Sequence, residues 1–117
     1  MPATPSFHSG AFPLAEALAR IPGPPAAHAV SVLERGTLHL KLSCPVRPNV
    51  QAPHDQDELY IVVRGSGTLV HGERRDACTA GDALFVAAGT EHHFEDFSDD
   101  LAVWVVFYGP AGGEVPA

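Results

Sequence analysis

The sequence predicts an all-β protein, a jelly-roll barrel of the double-stranded β-helix type with a short helical segment in front of it. Three observations carry that expectation. Eight short runs rich in β-branched and aromatic residues follow one another between residues 28 and 108. Clusters of Gly, Pro, Asp and Ser separate them, as turns between antiparallel strands require. No strand–helix alternation of the kind that builds a parallel sheet occurs anywhere in the chain.

Taken from the N-terminus, residues 1–27 form a peripheral segment. Within it, residues 12–20 can make two helical turns with Pro13 near their start, where its missing N–H costs nothing. The run Pro22-Gly23-Pro24-Pro25 then ends any helix. The barrel is expected over residues 28–110, with strands at 28–34, 37–43, 58–64, 68–71, 74–78, 83–86, 91–97 and 101–108. Turns fall at Gly36, Gly65-Ser66-Gly67, Gly72-Glu73, Gly81-Asp82, Ala88-Gly89 and Ser98-Asp99-Asp100. Residues 44–57 make the longest irregular stretch; with Pro45, Pro48 and Pro53 it leads straight into the third strand and is placed at the barrel rim. Residues 111–117 are expected to be a flexible tail.

Composition narrows the function. One domain fits in 117 residues, and 45% hydrophobic against 18% charged residues is an ordinary globular balance. A formal charge of −7 repels phosphate backbones, so no nucleic-acid partner is expected. No apolar run is long enough to span a bilayer and the N-terminus lacks the pattern of a secretory signal; the expectation is a cytoplasmic protein with no membrane partner. Cys44 and Cys78 lack metal-finger or redox spacing and read as free, buried or half-buried thiols.

The residues with chemistry lie in two places. His54 and Glu58 stand four apart ahead of an apolar run; in extended chain even separation puts them on one face, which Tyr60 and Val62 continue. His92 and His93 follow the turn at Gly89. If one of them lies across the sheet from Glu58, a site of two imidazoles and one carboxylate results. That donor set suits Fe(II), with Mn(II), Ni(II) and Zn(II) as competitors, and leaves coordination positions open.

The stretch from Gln51 to Tyr108, about half the chain, resembles the cupin superfamily, in particular its small single-domain bacterial members. The first cupin motif, Gly-x5-His-x-His-x3,4-Glu-x6-Gly, is matched in its second half by His54, Glu58 and Gly65. The second, Gly-x5-Pro-x-Gly-x2-His-x3-Asn, is matched by Gly81, Gly89 and His92, with Ala87 at the Pro position and Asp96 at the Asn position. The resemblance implies a metal held by His54, Glu58 and His92. The family's first His falls at Ala52, which coordinates nothing, so its three-His, one-Glu set is reduced to three. Gln51 is the possible additional ligand.

Other residues take supporting roles. Tyr60 is a candidate catalytic residue beside Glu58, able to donate a hydrogen bond to a ligand, or else a plain lining aromatic. Parity sends His93 outward and places Phe94 and Asp96 with His92, the first as pocket wall and the second as a possible acceptor behind a ligand. Asp55 and Asp57 read as a solvated acidic rim, and Trp104, Phe107 and Tyr108 as core or interface aromatics. A homodimer is expected, with residues 30–33 or 103–107 as edges that would gain from a partner. The function expected is a metal-dependent enzyme, an oxygenase, isomerase or lyase, acting on a small oxygen-rich metabolite. A non-catalytic small-molecule binder or sensor, with or without a metal, and a barrel with a vestigial pocket are the alternatives.

Overall fold

A computed structural model describes residues 9–22 and 27–115. Among the described residues are eight strands: β1 (Ala29–Arg35), β2 (Leu38–Ser43), β3 (Asp57–Arg64), β4 (Ser66–His71), β5 (Arg74–Thr79), β6 (Ala83–Val86), β7 (His92–Glu95) and β8 (Ala102–Tyr108). All pairings are antiparallel, in a five-stranded sheet of order β1-β2-β8-β3-β6 facing a three-stranded sheet of order β5-β4-β7. The chain is therefore all-β, as expected. Each expected strand is found within about two residues of its place, which is the ordinary uncertainty of element ends. The seventh is shorter than expected, because Asp96 enters the left-handed region at φ 49° and interrupts the regular pairing with β4 after Glu95.

Between the sheets lies the main core, where Tyr60 and Val62 of β3, Leu69 of β4, Phe94 of β7 and Val103 and Val105 of β8 interdigitate. Alternation along β3 and β8 produces it: even positions of the one and odd positions of the other point inward. The opposite face of the large sheet is covered as well. Helix α1 (Leu14–Ala19) starts after Pro13 and sets Ala17 on Val30 and Leu42, with Leu14, Leu18, Val63 and Trp104 packed around them. Trp104 is thus part of a second, outer core. Of the Pro-rich stop that follows the helix, residues 23–25 lie outside the described residues.

This outer core inverts the usual reading of β2. Leu38, Leu40 and Leu42 alternate with His39, Lys41 and Ser43. The register pairs Lys41 with Val105 and Ser43 with Val103, both core residues of the inner face. The polar set of β2 therefore faces into the barrel mouth, while Leu42 is buried beneath α1.

Two close approaches hold the hairpins at their corners. Gly65, at φ 79°, lies where any Cβ would come within 2.8 Å of the Leu101 backbone. Asp57, expected at a solvated rim, is buried: its carboxylate accepts hydrogen bonds from the Ala88 and Glu114 backbone N–H groups at 3.0 and 2.9 Å. The segment after β8, expected to be a loose tail, lies against the start of β3 through that bond and through Gly112 N–H donating to the Asp55 carbonyl at 2.7 Å. Of the two segments expected to be edges, β1 ends its sheet, but β8 is paired on both sides by β2 and β3 and offers no free edge.

Candidate metal centre

Glu58 enters the barrel from β3 and His92 from β7, so they come from opposite sheets. The sequence expectation of a histidine across one sheet from Glu58 is corrected here: strand neighbours of Glu58 are Val86 and Phe107, and His92 reaches it across the interior. His54 precedes the strand. Its carbonyl accepts from Gly89 N–H at 2.8 Å, which ties it to the turn leading to His92. Its ring meets Phe107 edge-on at 4.7 Å between centroids and lies 5.4 Å from the His92 ring.

The donor atoms of His54, Glu58 and His92 all lie within 4.8 Å of one another. Two ligand bonds of about 2.1 Å set donor atoms about 3.0 Å apart when cis on one ion and about 4.2 Å at most, so the 3.0 Å Glu58–His92 pair already fits and His54 closes the set by moving inward. Its chemistry also fits. His92 Nδ1 donates to the Thr90 carbonyl at 2.9 Å, which leaves Nε2 as the lone-pair nitrogen of a neutral ring. That Nε2 lies 3.0 Å from Glu58 Oε1, both atoms are fully buried, and among the described residues neither has a hydrogen-bond partner. The separation alone would permit an ion pair, but the alignment makes no hydrogen bond. Two buried acceptors aimed at one point are costly unless something positive sits between them.

Protonation follows from the same surroundings. Burial pulls His54 below its ordinary value, against the pull of Glu58, so the ring is neutral and able to ligate near pH 7. For His92, burial also acts downward, but the Glu58 carboxylate and the Thr90 carbonyl outweigh it and the net direction is up. Tyr60 is pushed far above the usual phenol range by burial and then by Glu58; it stays protonated and acts as a donor. Its hydroxyl donates to Gln51 Oε1 at 3.1 Å, Gln51 Nε2 donates to Asn49 Oδ1 at 2.8 Å, and Asn49 Oδ1 also accepts from Phe94 N–H at 2.8 Å. Gln51 lines the same cavity as His54 and Glu58, and its amide oxygen is engaged by Tyr60.

Of the remaining candidates, Ala52 is exposed, and His93 points outward and bonds Glu95 at 2.9 Å. Phe94 is buried against Tyr60 as expected of a pocket wall. Asp96 is not an acceptor behind a ligand: it is exposed and faces Arg75, because its turn ends β7 before the alternation reaches it. The acceptor behind His92 is the Thr90 carbonyl instead. Cys44 and Cys78 are free thiols, half-buried and buried.

His54 and Glu58 line a cavity of about 210 Å³ together with Tyr60, Phe107, Lys41 and Ser43, and His92 lies 3.0 Å from Glu58. Three lining residues were missed from sequence. Asn49 belongs to an irregular loop with no period to read. Lys41 and Ser43 sit on the strand whose polar face looks like a solvent face until α1 is placed over the other.

Residues 46–108, more than half of the chain, match the sequence model of the family described as Cupin domain. An uncharacterized protein of Streptomyces coelicolor is 42% identical over 60 residues, which is 51% of this chain and 57% of that protein. The matched part is thus little more than half of the relative's length. Among solved structures, KdgF from Halomonas sp. is similar at a TM-score of 0.60 and 18% identity, over 68% of this chain and 74% of that one. The DMSP lyase DddQ of Ruegeria pomeroyi DSS-3 is similar at 0.56 and 16%, over 69% and 46% respectively. At these identities the likeness is one of fold.

Proposed function

This chain belongs to the Cupin domain family, and we propose that its barrel holds a divalent metal on His54, Glu58 and His92 and works there as a metal-dependent enzyme, an oxygenase, isomerase or lyase of a small oxygen-rich metabolite. One observation carries the reading: His92 Nε2 and Glu58 Oε1 are buried, face each other at 3.0 Å and lack hydrogen-bond partners. The donor set favours Fe(II), with Mn(II), Ni(II) and Zn(II) as competitors. An ion of this kind, when bound, supplies a Lewis acid for a chelating pair of substrate oxygens.

The protein's own residues do the rest. The Thr90 carbonyl holds the His92 ring in the tautomer that offers Nε2 inward. Tyr60, locked as a neutral phenol, offers its proton to an acceptor oxygen in the cavity once it turns from Gln51. Glu58 contributes one carboxylate oxygen to the ion and has a second to accept a proton. Phe107 and Val105 line the cavity with apolar surface and Phe94 packs behind Tyr60, which strengthens each of these interactions.

Elemental analysis of untagged protein purified without chelator tests the reading. About one ion per chain is expected in the parent and a small fraction of it in His54→Ala and Glu58→Ala. A parent that holds no ion, even after incubation with Fe(II) or Zn(II), would overturn it. It would favour the metal-free binding barrel, in which a protonated His92 pairs directly with Glu58, an arrangement consistent with the upward direction of the His92 pKa. The proposal includes a homodimer formed along the edge of β1 in a reducing cytoplasm. Light scattering at monomer mass would remove the dimer from it.

A further inference from the structure

The chain contains a single lysine, Lys41, against six arginines. That lysine is half-buried on the inner face of β2 and lines the same cavity as His54 and Glu58. Among the described residues its ammonium has no hydrogen bond and no ion pair, although the chain carries 14 carboxylates, and the Ser43 hydroxyl next to it on that face has no partner either. A half-buried cation costs desolvation energy, and a chain this acidic offers many ways of neutralising it. Leaving it open toward a cavity walled by Val105 and Phe107 makes it a seat for an anion brought in from outside.

Building on the metal-centre reading, we infer that the ligand of this cavity is a small carboxylate, its acid group seated on Lys41 and Ser43 and its neighbouring oxygens facing His54, Glu58 and His92. A volume of about 210 Å³ sets the size, since drug-sized ligands occupy roughly 300–1,000 Å³. With a divalent ion in place, one carboxylate from Glu58 leaves the metal end positive, so both ends of the cavity attract a molecule with an acid at one end and oxygens at the other. Uncharged diketones fit the metal end alone.

The test compares pyruvate and malonate with butane-2,3-dione, which matches pyruvate in shape but carries no charge. Each is titrated into Zn(II)-loaded and chelator-treated protein by calorimetry and by NMR of the lysine ε-CH2, a single resonance in this chain. Parent protein is expected to bind pyruvate at least tenfold tighter than butane-2,3-dione, with the lysine resonance moving only for the acids. Lys41→Met is expected to abolish that preference while metal content and unfolding midpoint stay at parent values, and Lys41→Arg to keep part of it. A preference that survives in Lys41→Met, a lysine resonance that does not move, or no binding of either acid would overturn the carboxylate seat. Metal analysis of the same samples separates the two readings. One ion per chain with an unmoved lysine sinks the seat alone, whereas a moving lysine in protein that takes up no ion sinks the metal centre and leaves the seat.

Discussion

Replacing the two facing acceptors by apolar residues should make the metal-free protein more stable than the parent. Glu58 and His92 have side-chain exposures of 2% and 0%, and each leaves an inward atom without a hydrogen bond. Taking away one partner strands the other. In His92→Leu the carboxylate stays in the interior with only the half-buried His54 ring near it, and stranding a buried charge in this way costs about 3–5 kcal/mol. Glu58→Met is milder, because His92 keeps its bond to the Thr90 carbonyl and stays neutral; we expect a loss of about 1–3 kcal/mol from the remaining unpartnered nitrogen. Combining the two removes both desolvation costs at similar volume and joins the pocket to the apolar core of Tyr60, Val86 and Phe94, for a net gain of about 1–4 kcal/mol over the parent. The assay is urea unfolding in chelator, followed by emission of Trp104, the only tryptophan. Repeating it with Zn(II) at a hundredfold excess over its dissociation constant should raise the parent by about 2.7 kcal/mol and the double variant not at all. The reasoning is refuted if the double variant is less stable than both singles in chelator, or if His92→Leu is milder than Glu58→Met.

Three further outcomes follow from other parts of the molecule. Gly65→Ala should cost more than 2 kcal/mol, roughly the left-handed backbone strain plus a clash with the Leu101 backbone, whereas Gly36→Ala, with open space around its Cβ, should cost only about 1–2 kcal/mol; unfolding midpoints of the pair check this. The backbone N–H groups of Glu114 and Ala88 hold the Asp57 carboxyl below its usual range, so its contribution is complete above the unfolded carboxylate range and lost as pH falls through the depressed folded value. Asp57→Asn should therefore flatten the acid side of the stability curve, and an unchanged slope between pH 5 and pH 2 would count against that latch. Leu42→Ala, beneath α1, should lose about 2–5 kcal/mol and redden Trp104 emission, since both residues belong to the outer core.

The course of the chain was legible from residue type alone. Strand periodicity and turn residues are local, so β6 could be placed at 83–86 and each other strand close to where it lies. Spacing put His54 and Glu58 on one face and offered His92 or His93 as the third, and the resemblance to the cupin motifs at Gly65, Gly81, Gly89 and His92 singled out three side chains whose donor atoms lie within 4.8 Å of one another. Where reasoning from parity ran past the end of an element it failed, as at Asp96, whose left-handed backbone breaks the alternation. It failed at Asp57 too, because an acid looks solvated until two distant backbone N–H groups are brought to it.

What the sequence determined by itself was thus the alternation of each strand, the sites of its turns and the residue types able to bind a metal, all of which depend on near neighbours. The tertiary structure decided which face is inside where the sequence left both open. β2 shows why: its leucine face and its polar face are equally good candidates for the interior until α1 covers the leucines, and only then does Lys41 turn toward the cavity. Burial is a property of what packs on a surface, and for β2 the packing element lies upstream in the chain, where strand periodicity carries no information about it.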